Sequence, residues 1–220
     1  MPIIFACLAP HPPIILPNVG SPEDRTKVKN TIENLEKLGK SLKELNPDLI
    51  IISSPHPDWG FNVPLYFLAP NYTDYPGKVK QFLIGLEPPS FYFEEGKKIY
   101  KSEIRNPKSE TNSKFKILNS KTAIIASGDL SHCLKAEGPY GFHPDGPKFD
   151  EKLIESLKKK DIETILKLDE LYPEAGECGL RSFCFLLGIL EASLLNWKPE
   201  ILSYEGPFGV GYLVANFKLK

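Results

Sequence analysis

Three short apolar runs, each followed within a few residues by a histidine, constrain this chain more than any other feature. Leu49-Ile50-Ile51-Ile52 passes through Ser53-Ser54-Pro55 to His56. Ile3-Ile4-Phe5-Ala6-Cys7-Leu8 passes through Ala9-Pro10 to His11. Ala123-Ile124-Ile125-Ala126 passes through Ser127-Gly128-Asp129-Leu130-Ser131 to His132. Runs this short, rich in β-branched residues and apolar at every position, fit strands buried on both faces of a parallel sheet. In an open α/β sheet the ligand crevice lies beyond the carboxyl ends of the strands. The chain has 4 histidines, so three of them stand where such a crevice would open.

The segments between these runs supply the helices. Ser21-Pro22-Glu23-Asp24 is a helix start, with an N-cap serine, proline at the first helical position and acids in the first turn. Val28, Ile32, Leu35, Leu38, Leu42 and Leu45 then recur at steps of three and four, one face of a single amphipathic helix that Asn46-Pro47-Asp48 stops. With its flanking runs this is a β-α-β unit, whose crossover is right-handed. Residues 61–68 and 79–84 are expected as strands. They lie in a region broken by Pro64, Pro70 and Pro76 and dense in aromatics (Trp59, Phe61, Tyr66, Phe67, Tyr72, Tyr75, Phe82), read first as core packing. Residues 90–104 are expected as helix, 106–113 as a surface loop and 115–118 as a short strand. The glycine- and proline-rich residues 138–147, with His143, make a long irregular loop of a kind that is usually functional. Helices are expected over 149–157 and 162–168, the second capped by Asp161. Gly176-Glu177-Cys178-Gly179 opens a strongly apolar helix, and 201–204 and 210–217 read as strands joined by Gly206-Pro207-Phe208-Gly209. The expectation is one α/β domain over residues 1–220, a central mostly parallel or mixed sheet flanked by helices.

Composition removes several function classes. A net charge of -1 supplies no field for nucleic acid or a membrane surface. The longest apolar runs fall far short of a bilayer span, and the start lacks the basic segment of a signal peptide, so a cytoplasmic location is expected. Cys7, Cys133, Cys178 and Cys184 are few for 220 residues, which argues for reduced thiols over a disulfide framework.

Two strand-terminal histidines are the natural start of a metal site, since neutral imidazole suits iron, zinc, copper or nickel. A carboxylate completing a facial triad would hold Fe(II) with adjacent positions open. Glu177, near the start of a buried helix, is the best carboxylate candidate. Cys178 beside it offers a thiolate and a softer site. A histidine that is not a ligand would serve as acid or base, oriented by a carboxylate such as Asp129. Singly, each has a structural explanation: a histidine bonded in a turn, Asp129 capping a turn, Glu177 as a helix-terminal charge, Cys178 as a small buried apolar group. The repeated placement after strands favours the joint reading.

Ala9-Pro10-His11-Pro12-Pro13, Ser54-Pro55-His56, Ser127-Gly128-Asp129-Leu130-Ser131-His132, Pro147-Lys148-Phe149-Asp150, Glu177-Cys178-Gly179-Leu180-Arg181-Ser182 and Tyr204-Glu205-Gly206-Pro207-Phe208-Gly209-Val210-Gly211-Tyr212 occur in this order. Together they resemble the class III extradiol ring-cleavage dioxygenases, the superfamily of the protocatechuate dioxygenase catalytic subunit, in the branch of the AmmeMemoRadiSam system and Memo proteins. The resemblance implies a non-haem Fe(II) site, with zinc or copper as alternatives, and His11 and His56 as ligands. Glu177 matches the family's glutamate, while Cys178 matches the cysteine that replaces it in the Memo branch. It implies His132 as catalytic acid/base and Asp129 as its companion. A small aromatic substrate and O2 would be the partners, with a homodimer and an AMMECR-type partner protein by analogy. Arg181 is the one basic residue suggestive of a substrate carboxylate, and bracing the helix start is its alternative role. Besides ring cleavage, a Memo-like role in handling iron or copper and a zinc hydrolase remain open readings.

Overall fold

The computed structural model describes residues 2–70, 78–105 and 121–220. The three histidine-terminated runs lie side by side in it. Strands β1 (Ile3–Ala9), β2 (Leu49–Ser54), β3 (Lys78–Leu83) and β4 (Thr122–Ser127) are parallel, in the spatial order β3-β2-β4-β1. Strand β4 sits between β1 and β2, so all three histidine-bearing loops leave one rim of the sheet. A C-terminal hairpin, β5 (Trp197–Glu205) and β6 (Tyr212–Leu219), completes the sheet, with β6 antiparallel to β1. The result is the expected α/β architecture, with a mixed sheet of six strands.

Strands buried on both faces divide their side chains between two cores. Phe5, Cys7, Ile50, Ile52, Ala123 and Ile125 pack on α2 (Lys29–Leu45) and α3 (Trp59–Leu68). Ala6, Leu8, Ile51, Ile124 and Ala126 pack on the other layer, which contains α4 (Pro89–Ile99), α5 (Asp145–Lys159) and α8 (Leu180–Ser193). No helix among the described residues is long and apolar enough to cross a membrane.

Several expectations change. The first helix is two: α1 (Pro22–Lys27), capped by Ser21 as expected, and α2, with a break at Val28. Val28 is fully buried and leaves the helical conformation, and the cap of α2 comes from the far end of the chain. Glu205 accepts hydrogen bonds from the Thr31 amide at 2.7 Å, the Thr31 hydroxyl at 2.6 Å and Asn30 Nδ2 at 2.9 Å. Residues 61–68 form helix α3, not a strand, with Pro64 inside it. Helix α5 starts at Asp145, inside the expected loop, where His143 Nδ1 accepts the Asp145 amide at 3.2 Å. Residues 162–168 divide into the single turns α6 (Ile162–Ile165) and α7 (Leu168–Leu171), the first capped by Asp161. The four cysteines are free thiols. The expected loop at 106–113 and strand at 115–118 lie outside the described residues, as do Tyr72 and Tyr75.

Removing the remote cap should loosen α2. Glu205→Ala is expected to lower unfolding stability by about 1–3 kcal/mol, the scale of a charge-assisted helix cap, measured by chemical denaturation.

Candidate metal centre

His11 stands just beyond β1, and its backbone amide donates to Asp129 Oδ1 at 2.9 Å. Its ring Nδ1 lies 2.9 Å from Ser127 Oγ, whose hydroxyl donates to the Gly60 carbonyl at 2.5 Å. A serine hydroxyl has one hydrogen, so Ser127 accepts from His11. The hydrogen of the ring therefore sits on Nδ1, and Nε2 carries a lone pair, 3.6 Å from Cys178 Sγ. Burial, with the neighbouring His56, pushes His11 down to about 3, which keeps the ring neutral. His56, beyond β2, is exposed and meets His11 edge-on, with ring centroids 5.3 Å apart. Its loop is tied by Ser54, whose Oγ accepts the His56 amide at 3.2 Å and donates to the His56 carbonyl at 2.9 Å. Gly60 comes so close that a Cβ there would lie 2.1 Å from Ser54 Oγ.

Asp129 joins the β4 loop to the start of α8. Its carbonyl accepts from the Gly179 amide at 2.9 Å, and its own amide donates to Cys178 Sγ at 3.3 Å. The approach needs two glycines in contact: a Cβ on Gly128 would sit 2.2 Å from Gly179 Cα. Burial raises the Asp129 carboxyl to about 6, against the opposing pull of the His11 amide. Burial, reinforced by Asp129, also holds the Cys178 thiol well above its ordinary value.

His132 is fixed from the same loop. Its Nδ1 donates to the Gly176 carbonyl at 2.6 Å, leaving Nε2 as an acceptor, and Tyr140 stacks edge-on with centroids 5.4 Å apart. Burial lowers its pKa, so the ring is neutral at physiological pH. The loop itself is clamped by Gly211, which exchanges backbone hydrogen bonds with Leu130 and Ser131 at 2.8 Å. Buried Asp150 accepts the Ser131 amide at 2.8 Å and the Tyr204 hydroxyl at 2.6 Å.

Donor atoms of His11, His56 and Cys178 lie within 4.8 Å of one another, as do those of Asp129, His132 and Cys178. Two ligands about 2.0–2.3 Å from one tetrahedral ion stand roughly 3.3–3.8 Å apart. The 3.6 Å between His11 Nε2 and Cys178 Sγ fits that spacing. Glu177 is placed elsewhere. Its carboxylate accepts from the Leu180 amide at 2.7 Å and Arg181 Nη1 at 3.1 Å, capping α8. Burial raises it to about 7, with those two partners pulling the other way. Arg181 is spent on Glu177, Asp169 and the Glu87 carbonyl, the bracing role. The histidines and Asp129 open onto a cleft of about 320 Å³ walled by Pro12, Pro13, Pro57, Trp59, Val210 and Tyr212.

Ser127, Gly60, Asp150 and Gly211 escaped the sequence reading as contributors. A signal existed for Ser127, since a hydroxyl ending a fully buried strand must find partners.

One buried and one exposed strand-end histidine thus meet a thiol, with a third histidine nearby, at one rim of a doubly covered α/β sheet. The family described as the catalytic LigB subunit of aromatic ring-opening dioxygenase matches residues 56–215, and the chain belongs to that family. His11 lies upstream of the matched stretch. Protein CA_C1420 of Clostridium acetobutylicum is 32% identical over 267 aligned residues, covering 96% of this chain. The chain spans 56% of that protein's length. The crystal structure of the uncharacterized protein JW3007 from Escherichia coli K12 shares the fold, with a TM-score of 0.50 at 14% identity over 96% of this chain and 98% of that one.

Asp150 makes stability fall from acid toward neutral pH. Burial pushes its carboxyl up to about 7 from an ordinary 3.8. Between those values the native state keeps a proton the unfolded chain has released, so stability falls as pH rises. Asp150→Asn abolishes this titration. Urea denaturation from about pH 4 to about pH 8 should show the stability difference moving in the variant's favour as pH rises.

Proposed function

We propose that the protein is a non-haem Fe(II)-dependent extradiol dioxygenase that opens a small catecholic ring with O2. The observation carrying this reading is the convergence of His11, His56 and Cys178 within 4.8 Å, the two histidines lining a cleft that Trp59 and Tyr212 also wall. These three residues would hold the ion. Glu177 stays outside the set because its carboxylate is engaged by its own helix and Arg181. The chemistry such an ion supplies when bound is the activation of O2 beside a catechol. His132, neutral and with Nε2 free, takes the phenolic proton of the entering substrate and returns it as the ring opens. Gly176 and Tyr140 hold its ring in place for both transfers. Asp129 keeps the His11 loop and Cys178 in register. Trp59, which is 49% exposed whereas the other tryptophan, Trp197, is 2% exposed, offers a flat apolar platform beside His56.

One observation favours a second reading. A thiolate in place of a carboxylate makes a softer site, suited to a Memo-like role in holding iron or copper without turnover.

Anaerobic loading with Fe(II), followed by O2 uptake across a panel of catechols, separates the two. Ring cleavage predicts O2 consumption and a yellow product. Tight metal binding without turnover on any catechol would overturn it in favour of metal handling. His56→Ala should lose the metal. His132→Ala should keep it and lose about 10²–10⁴-fold in kcat.

Asp129 lines the cleft, and no lysine or arginine among the described residues does. A ring carrying no carboxylate therefore suits it best. A methylcatechol should show a KM about tenfold below that of a dihydroxybenzoate, the scale of one like-charge contact.

A further inference from the structure

A relay of single hydrogen bonds leads from a proline in the middle of α3 to the cleft. Pro64 has no amide hydrogen, so the carbonyl four residues earlier, that of Gly60, receives no helical bond from it. That carbonyl accepts the Ser127 hydroxyl instead, at 2.5 Å. With its one hydrogen committed there, Ser127 can only accept from His11 Nδ1, 2.9 Å away.

A proline inside a helix costs about 3 kcal/mol or more, so its position calls for a reason. It does not end α3, which continues to Leu68, and it is packed in the core with its neighbours Val63 and Leu65. It leaves the Gly60 carbonyl without the usual amide four residues on, at the spot where the Ser127 hydroxyl meets it.

We propose that Ser127 is a positioning residue that sets the His11 tautomer: with its one hydrogen on the Gly60 carbonyl, which lacks the amide Pro64 cannot supply, it takes the Nδ1 hydrogen of His11 and leaves the Nε2 lone pair facing Cys178. The metal-binding consequence rests on His11 being a ligand, as in the proposed function; the tautomer itself does not. An alanine in place of Ser127 would remove the acceptor from Nδ1, and the ring hydrogen would move to Nε2, closing the lone pair to the cleft.

The test uses the full chain, ring-nitrogen NMR of its histidines without metal, and calorimetry with Zn(II) as a redox-silent probe. Wild-type protein should hold His11 in the Nδ1–H form. Ser127→Ala, which leaves α3 untouched, should shift it toward Nε2–H and weaken Zn(II) binding about tenfold, the size of effect seen when a ligand's orienting partner is lost. Pro64→Ala, which adds an amide but leaves the Gly60 carbonyl its second lone pair for Ser127, should keep the Nδ1–H form. Retention of the wild-type tautomer in Ser127→Ala would overturn the proposal. A tautomer switch in a protein that binds no Zn(II) even as wild type would uphold the positioning role and overturn the ligand reading.

Discussion

Asp129 is the group on which the site depends. Its side chain takes the His11 amide, its backbone carbonyl takes the Gly179 amide, and its backbone amide meets the Cys178 sulfur. One residue thus ties the loops of β1 and β4 to the start of α8, three segments far apart in sequence. The contact is possible because Gly128 and Gly179 meet backbone to backbone, where any side chain would intrude. Desolvation works against an ionised carboxyl here and raises it to about 6, so the bonds it accepts must offset the cost of burying it.

Around this hub the polar groups divide their labour. Glu177 and Cys178 are neighbours in sequence, yet the chain turns between them so that one serves the helix and the other the imidazoles. Glu177 with Arg181 and Asp169 forms a charged brace on the outer side of the α8 start. Cys178 faces the imidazoles. A carboxylate satisfied by an amide and a guanidinium has little reason to leave them, whereas the Cys178 thiol has weak polar contacts, with a ring nitrogen and the Asp129 backbone.

Much of this was legible in the sequence because strands buried on both faces announce themselves. Ile3-Ile4-Phe5 and Leu49 to Ile52 have no helical period, and their punctuation by Pro10 and Pro55 put the histidines at one rim. Residues 61–68 misled for a physical reason. Pro64 argues against a helix interior, and the segment is apolar nearly all round, so periodicity could not reveal a helix packed against both the sheet and α2. The break at Val28 was hidden because α2 draws its cap from Glu205, a partner that no local pattern discloses. The choice between Glu177 and Cys178 depended on the direction of two side chains, which spacing does not carry. That Ser127 would want a partner was legible, but that its partners are His11 and Gly60 was not, since the link exists only after α3 has docked over the end of β4.

The placement of β6 and Gly211 has a consequence for the life of the chain during synthesis. The loop bearing Asp129 and His132 is clamped by Gly211, and α2 is capped by Glu205, both synthesised after the elements they hold. Long-range closures of this kind come late in folding. A nascent polypeptide ending before the C-terminal hairpin has every donor atom already translated but no rigid frame to aim them. Until that hairpin docks, the Asp129 loop and the start of α2 lack the partners that hold them.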